Sequence, residues 1–282
     1  MKLSSFRYRG ASRIGVHTDV GVIPLDTGGR SIRALLAEGT ALDSLRTGDA
    51  DKALPWSEVE RLPVIPDPGK IVCVGTNYAD HRSEAKRAPS DYPVLFSRFA
   101  DTQIADGDPI VLPSSSDRVD YEGELALVIG QYCWQVPESA AMSFVAGYSC
   151  YNDVTVRDWQ RHTHQWMPGK NFPGTGAFGP CLVTAQQVPD PGSLHLSTRV
   201  NGELRQSASV RDLIFSIPRL ISYISSFTAL SPGDVVVTGT PGGVGFFRDP
   251  PIFLQDGDVV DVDISGIGTL RNSVRSLTTD MS

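Results

Sequence analysis

The short segment LALVI most constrains the fold, because it is apolar on both faces of the strand that it predicts. Alternate residues of a strand point to opposite faces, so Leu125, Leu127 and Ile129 share one face. Ala126 and Val128 share the other. An apolar strand of this kind is stable where both of its faces are covered. We therefore expect this strand to run into the core of the molecule.

The chain from Lys70 onward favours further strands. They are expected in the segments KIVCVG, PIVLP, GELALVIG, SFVAGYSCYND, HLSTRVNG, DVVVTG and DVVDVDISG. The pair Asn201-Gly202 is typical of a type I′ hairpin turn. Helices are fewer: one is expected to begin near Ser216 with Pro218 in its first turn, and a short one to carry DHRSEAKR. The sequence therefore predicts a mainly β domain of the α+β class.

The first 65 residues predict a small N-terminal αβ domain. RIGVHTDVGVIPLD alternates like a pair of strands, and SIRALLAEG is typical of a short helix ended by Gly39. The segment ERLPVIPDPGK has three prolines in eleven residues, which is typical of a linker. We therefore expect a small domain over residues 1–65 and a catalytic domain over residues 66–282.

Composition excludes several classes of protein. The chain has 282 residues and a net charge of −7 without a basic run, so we predict no nucleic-acid partner. No segment approaches the roughly 18–20 apolar residues that span a bilayer, and the first residues lack the apolar core of a signal peptide. We expect a cytoplasmic protein without a membrane partner. The four cysteines form no C-x-x-C pair and predict buried free thiols, although His81 leaves a Cys73 nucleophile open.

Three carboxylates stand at the ends of two predicted strands. Glu122 and Glu124 lie on one face at the start of the LALVI strand, and Asp153 ends FVAGYSCYND. Negative charge at the entrance to a core is costly, and a cation would relieve both the desolvation and the mutual repulsion. An all-oxygen ligand set favours Mg²⁺, Mn²⁺ or Ca²⁺ over zinc. The alternative is a solvated strand face, because the E-x-E spacing is common.

Hydrogen-bond donors follow the third carboxylate. Arg157, Gln160 and Lys170 come within seventeen residues of Asp153 and could donate to a developing oxyanion or to a substrate carboxylate. The alternative is that Arg157 pairs with Asp158 on a surface turn.

A possible acid/base pair precedes these groups. His81 and Glu84 are three residues apart, so they are neighbours on a helical turn, and a carboxylate beside His suits a general base near neutral pH. A solvent-exposed helix is the alternative. The Gly-rich segment TGTPGGVG lacks the ending of a phosphate-binding P-loop, but its amides or Thr240 could contact a substrate.

Taken together, these strings resemble the fumarylacetoacetate hydrolase superfamily. The matching strings occur in the expected order: VGTNYADHRSE, PVLFSRF, DYEGELALVIG, GYSCYNDVTVRDWQ, GKNF, VNGELRQ, IFSIPRLISYIS, GDVVVTGTPGGVG and ISGIGTL. They cover roughly three-quarters of the chain, from about Lys70 to the C-terminus. The resemblance implies a mixed β-roll as the catalytic domain and a homodimer as the assembly.

The resemblance also implies roles for individual residues, and it shifts the balance toward a functional site. Many members carry Lys where this chain has Arg98, and Arg can hold a substrate carboxylate through two hydrogen bonds. By role, the implied residues are Glu122, Glu124 and Asp153 for Mg²⁺ or Mn²⁺, with Ca²⁺ as a further candidate; Arg157, Gln160 and Lys170 for polarising the substrate; His81 and Glu84 for acid/base catalysis on a mobile lid; and Arg98 and Thr240 for substrate binding.

The activity implied first is metal-dependent hydrolysis of the carbon–carbon bond of an acylpyruvate or related β-diketo acid, as in aromatic compound catabolism. His81, steered by Glu84, would activate the water, and the leaving carbanion would depart as a metal-bound enolate. The alternative on the same site is decarboxylation, hydration or isomerisation, including keto–enol isomerisation, of oxaloacetate-like or unsaturated 2-oxo acids. A binding protein with a vestigial site is disfavoured by the complete set of ligands and donors.

Overall fold

The computed structural model describes residues 1–46 and 52–277. Strands dominate this part of the chain. They are β1 (Lys2–Tyr8), β2 (Ala11–Thr18), β3 (Gly21–Pro24), β4 (Leu54–Pro55), β5 (Glu60–Arg61), β6 (Ile71–Gly75), β7 (Val94–Arg98), β8 (Gln103–Ile104), β9 (Ile110–Leu112), β10 (Val119–Asp120), β11 (Gly123–Ile129), β12 (Val145–Asp153), β13 (Thr155–Val156), β14 (Gly176–Thr184), β15 (His195–Val200), β16 (Glu203–Ser209), β17 (Val235–Val237), β18 (Val259–Ile264) and β19 (Gly268–Ser276).

Within the described residues the α-helices are short, and only one is longer than two turns. They are α1 (Ile32–Ala37), α2 (Ala79–Glu84), α3 (Glu138–Ala141), α4 (Arg157–Gln160), α5 (Met167–Lys170) and α6 (Ile217–Phe227). No described helix is long and apolar enough to cross a bilayer.

Most strands join one large mixed sheet of order β4-β3-β2-β1-β14-β12-β11-β17-β6-β7, with β5 beside β1 and β8 beside β14. A second sheet has the order β16-β15-β18-β19-β9, and β10 pairs with β13. Within the large sheet β11 lies between β12 and β17, and β17 runs parallel to β6. This mainly β, α+β architecture confirms the fold class expected from the sequence.

The central strand β11 is covered on both faces, as its sequence predicts. Leu125 and Leu127 lie in one apolar cluster, which also contains Ile221 of α6. Ala126 lies in the other, which also contains Leu35 of α1. The sheet is therefore a middle layer, and the polar ends of its central strands are where charged groups come together.

The N-terminal strands extend the large sheet. β1 pairs with β14 in antiparallel register, with Lys2 opposite Val183. Helix α1 begins after Ser31, whose side chain accepts from the Ala34 amide, and Gly39 with φ of 78° ends the segment. The helix and strand pair predicted here are confirmed, while the division into two domains at residue 65 remains a prediction.

Other local predictions are confirmed by the backbone. Asn201 and Gly202 adopt φ of 53° and 81°, as a type I′ turn requires. Ser216 caps α6 by accepting from the Arg219 amide, and Pro218 lies in its first turn. All four cysteines are buried free thiols.

Candidate active site

The three predicted metal ligands come together at the start of β11 and the end of β12. Glu122 lies immediately before β11, Glu124 is the second residue of that strand, and Asp153 is the last residue of β12. The register places Gly123 opposite Asn152, so the two strand ends coincide. One carboxylate oxygen from each of the three side chains lies within 4.8 Å of the others, and all three are buried.

This cluster fits a divalent cation. Burial, with the charges of Asp153 and Glu122, raises the pKa of Glu124 well above its ordinary value. One oxygen of Glu124 accepts a hydrogen bond from the Gly239 amide at 2.6 Å. A bound cation would offset the repulsion among the carboxylates, and an all-oxygen set without sulfur or imidazole suits Mg²⁺, Mn²⁺ or Ca²⁺.

Lys170 lies against the same carboxylates. Its ammonium is 2.6 Å from Glu122 Oε2 and 2.6 Å from Asp153 Oδ2, and its side chain is 1% exposed. Burial alone would lower the pKa of Lys170, but the two carboxylates outweigh it and raise the pKa above its ordinary value. The ammonium therefore stays charged and remains a hydrogen-bond donor at the site.

Arg157 is the second cation of the cluster and is not on a surface turn. Its Nη1 is 2.6 Å from Glu122 Oε1, and its Nε donates to Asp120 Oδ2 at 2.8 Å. Gln160 Oε1 accepts from Arg157 Nη1 at 3.2 Å, which brings this predicted pair together. Burial alone would raise the pKa of Glu122, but Lys170 and Arg157 lower it to about 2.

Asp120 is a site residue that the sequence analysis did not single out. Its two oxygens accept from the amides of Gly245 and Phe246 at 2.9 Å each, in addition to the bond from Arg157. The carboxylate thus ties the Arg157 guanidinium to the segment that follows the TGTP loop. A signal was present in the sequence, because Asp120 precedes Glu122 by two residues and shares the strand alternation with it.

Arg98 has different partners from those expected. Its side chain is fully buried, its Nη1 is 2.6 Å from Asp153 Oδ1, and its Nη2 donates to Thr175 Oγ1 at 2.6 Å. Arg98 is absent from the lining of the cavity described below. This placement does not support the expected clamp on a substrate carboxylate. It favours a supporting role, in which Arg98 orients Asp153.

The predicted dyad lies on α2 at the other side of the site. His81 is 6% exposed, and its Nδ1 is 3.5 Å from Glu84 Oε2. Glu84 is held in turn by the Gly243 amide, which donates to its Oε1 at 2.9 Å. The imidazole is therefore buried, unlike a side chain of a solvent-exposed helix, and its Nδ1 lies near the Glu84 carboxylate without forming a hydrogen bond among the described residues.

The TGTP loop passes between the dyad and the carboxylates. Gly239 has φ of 106°, a left-handed conformation that L side chains rarely adopt, and a Cβ there would lie 2.7 Å from Asn77 Cβ. This turn lets the Gly239 amide reach Glu124. Thr240 donates from Oγ1 to the Gly123 carbonyl at 2.9 Å and accepts from Gln206 Nε2 at 2.7 Å.

A cavity of about 290 Å³ collects most of the predicted residues. Those that line it are His81, Glu122, Glu124, Arg157, Gln160, Lys170 and Thr240. The cavity lining does not include Glu84, Asp153 or Arg98. The sequence analysis missed the aromatic walls, which are formed by Phe96, Trp166, Phe246 and Phe247. These side chains come from three separate segments, with Phe246 and Phe247 adjacent, so no single local pattern in the sequence marks the set.

A family model and two relatives are similar to most of this chain. A family model described as fumarylacetoacetate (FAA) hydrolase C-terminal matches residues 70–275. A mitochondrial oxaloacetate tautomerase of Bos taurus is 45% identical over 223 residues, which are 78% of this chain and 71% of that protein. A mitochondrial oxaloacetate tautomerase of Xenopus laevis is 41% identical over 243 residues, 86% of this chain and 75% of that protein.

Two solved structures are also similar to nearly the whole chain. A fumarylacetoacetate hydrolase from the psychrophilic Exiguobacterium antarcticum is 37% identical, with a TM-score of 0.86 over 98% of this chain and 100% of that one. A 2-hydroxyhepta-2,4-diene-1,7-dioate isomerase from Mycobacterium marinum is 31% identical, with a TM-score of 0.79 over 98% of each chain.

Proposed function

This chain belongs to the fumarylacetoacetate hydrolase family, and on that premise we propose that it catalyses keto–enol isomerisation of an oxaloacetate-like 2-oxo dicarboxylic acid. One observation carries the proposal: His81 lines the same small cavity as Glu122, Glu124 and Lys170. The proposed base and the side chains that would bind a 2-oxo acid therefore line one cavity, where both could act on the same substrate. The relatives named as oxaloacetate tautomerases support this alternative over the hydrolysis that was our first expectation.

The reaction needs a proton to move between carbon and oxygen. His81 removes a proton from the carbon beside the oxo group, and the C–H electron pair forms the carbon–carbon double bond. The imidazolium of His81 then returns that proton to the oxo oxygen, which gives the enol and restores the neutral base. Glu84 orients the imidazole through the 3.5 Å contact to Nδ1 and is itself fixed by the Gly243 amide. Glu84 therefore holds the imidazole at the cavity wall, and Glu84 itself does not line the cavity.

The remaining side chains stabilise the negative charge that develops on the oxo oxygen. Lys170 and Arg157 are charged and fixed donors at the cavity wall, and Gln160 adds an amide there. A divalent cation held by Glu122, Glu124 and Asp153 would supply Lewis-acid polarisation of the oxo group. Mg²⁺ or Mn²⁺ as that cation, a homodimeric assembly and a cytoplasmic location remain predictions of the sequence.

Carbon–carbon bond hydrolysis is the second candidate, because the same His81 and Glu84 could activate a water molecule. The structurally similar Exiguobacterium antarcticum protein is named as a hydrolase. The two reactions differ in what is consumed, since isomerisation uses no water and leaves the carbon skeleton intact.

The test is the decay of the enol absorbance of oxaloacetate and of an acylpyruvate panel, with products identified by mass. We expect Mg²⁺- or Mn²⁺-loaded protein to accelerate the oxaloacetate equilibration and His81→Asn to remove that acceleration. His195→Asn is the matched control, because His195 is exposed, bonds Ser207 and does not line the cavity. Cleavage of acylpyruvates to two acids, with no effect on oxaloacetate, would instead support the hydrolase.

A further inference from the structure

Two arginines line the outer part of the cavity and differ from the buried cations of the site. Arg87 and Arg161 are both exposed and both belong to the cavity lining. Among residues 1–46 and 52–277, neither guanidinium forms an ion pair, whereas Arg157 and Lys170 are paired with carboxylates. The chain has a net charge of −7, so carboxylates are in excess over cations. Within the described residues these two arginines beside the cavity still have no carboxylate partner, which leaves them available to an anionic ligand.

Arg87 is held by an aromatic stack. Its guanidinium carbon lies 4.9 Å from the centre of the Trp166 ring, and Trp166 packs against Phe96 with ring centres 5.5 Å apart. Trp166 also packs against Gly75, where a Cβ would be 2.0 Å from the indole. The glycine therefore allows the indole to reach this position, and the indole in turn fixes the guanidinium.

Arg161 is held in the same way on another ring. Its guanidinium carbon lies 5.1 Å from the centre of Phe246, and that of Arg157 lies 5.9 Å from the same ring. The two arginines are four residues apart, so one turn of α4 and its C-terminal cap places both beside Phe246. Positive charge thus extends from Arg157, which contacts the Glu122 carboxylate, to the exposed Arg161.

A stacked guanidinium offers its edge to a ligand. Stacking uses the face of the planar group and leaves its N–H donors free, and those donors match the two oxygens of a carboxylate. The carboxylates and buried cations of the same cavity are suited to a 2-oxo acid, and four aromatic side chains also line it. A ligand that satisfies both ends has anionic groups at both of its own ends.

We infer that Arg87 and Arg161 form a second anion-binding group, which holds the distal carboxylate of a dicarboxylic 2-oxo acid. The inference rests on the proposed function for the reaction that it serves, and it adds the residues that select a dicarboxylate over a monocarboxylate. Both side chains act on binding and have no part in the proton transfer.

The experiment compares oxaloacetate with its 4-methyl ester, which has the same carbon skeleton but no distal charge. Dissociation constants are measured by calorimetry on Mg²⁺-loaded protein in a His81→Asn background, so the readout does not depend on turnover. The double variant Arg87→Gln/Arg161→Gln should weaken oxaloacetate binding about tenfold, as expected for the loss of charge-assisted hydrogen bonds at a solvent-accessible site. Binding of the ester should change less than twofold.

Lys86→Gln is the matched control, because Lys86 is an exposed cation next to Arg87 that does not line the cavity. It should leave both constants unchanged. Equal weakening of oxaloacetate and ester, or equal effects of the control and the double variant, would overturn the inference and reduce the two arginines to general charge. The wild type could prefer oxaloacetate to its ester, lose that preference in the double variant, and still show no tautomerase activity. That result would support this inference and refute the proposed function.

Discussion

Replacement of Lys170 by methionine tests the electrostatics of the site most directly. The ammonium is 1% exposed and lies 2.6 Å from both Glu122 and Asp153, so Lys170→Met removes a shared counterion from two buried carboxylates. Methionine has a similar length and no charge, which limits the loss of packing. We expect the metal-free variant to be much less stable than the metal-free wild type, and the Mg²⁺-loaded variant to lack activity.

The size of the effect follows from burial. Removing one partner of a buried ion pair costs about 3–5 kcal/mol, because the remaining charge loses its compensation. For a chain of this size that corresponds to a melting temperature lower by roughly 5–8 °C. The deficit should shrink in Mg²⁺, because a cation bound by the same carboxylates would replace the missing charge.

Denaturant titration of the metal-free and Mg²⁺-loaded proteins measures the loss of unfolding free energy and how much of that loss Mg²⁺ restores. Arg219→Met is the control at an exposed ion pair: its guanidinium lies 3.0 Å from Glu138 and the two side chains are 46% and 47% exposed, so its removal should cost less than about 1 kcal/mol. A loss below 1 kcal/mol for metal-free Lys170→Met, or a deficit that Mg²⁺ leaves unchanged, would refute the reasoning.

Three further predictions concern single side chains. Burial and the neighbouring carboxylates raise the pKa of Glu124, so Glu124→Gln should keep the metal-free unfolding free energy within about 1 kcal/mol while abolishing the stabilisation by Mg²⁺ in the same titration. Asp120→Asn should lower kcat by about 10- to 100-fold in the enol assay with little change in KM, because Arg157 loses the partner that orients it. Burial and the charge of Lys2 lower the pKa of His17 from 6.5 to about 4. The unfolded chain therefore binds the proton first as the pH falls, so stability should decrease from pH 6.5 to 4, and denaturant titrations of His17→Asn should lack that component.

Local features of the fold could be predicted because their causes are local. Two apolar faces on LALVI required a covered strand, the Asn201-Gly202 pair specified its turn, and Ser216 with Pro218 specified the start of α6. The pairing of β1 with β14 could not be predicted in this way. Lys2 and Val183 face each other across 181 residues of chain, and no short-range pattern encodes that register.

The candidate site, like the fold, could be predicted from the sequence only where the cause is local. The spacing of Glu122 and Glu124 suggested a shared cation, but the sequence could not show that Arg98 would bond Asp153 rather than face the cavity. The two readings of an arginine beside an acidic site, substrate clamp or buried counterion, differ only in burial. Burial at this position depends on contacts with β12 and with Thr175, which are distant in the chain.

The pairing of charges explains why the site suits a divalent cation. Four buried carboxylates, those of Asp120, Glu122, Glu124 and Asp153, meet three buried cations, those of Arg98, Arg157 and Lys170. Within the described residues every one of these carboxylates except Glu124 contacts a cation, and Glu124 is also the one whose pKa is raised. The raised pKa favours the neutral form of Glu124 without a metal, whereas a bound cation favours its carboxylate. Cation binding should therefore release protons, which calorimetry in buffers of different ionisation enthalpy would measure, and in Glu124→Gln that release should vanish together with the binding.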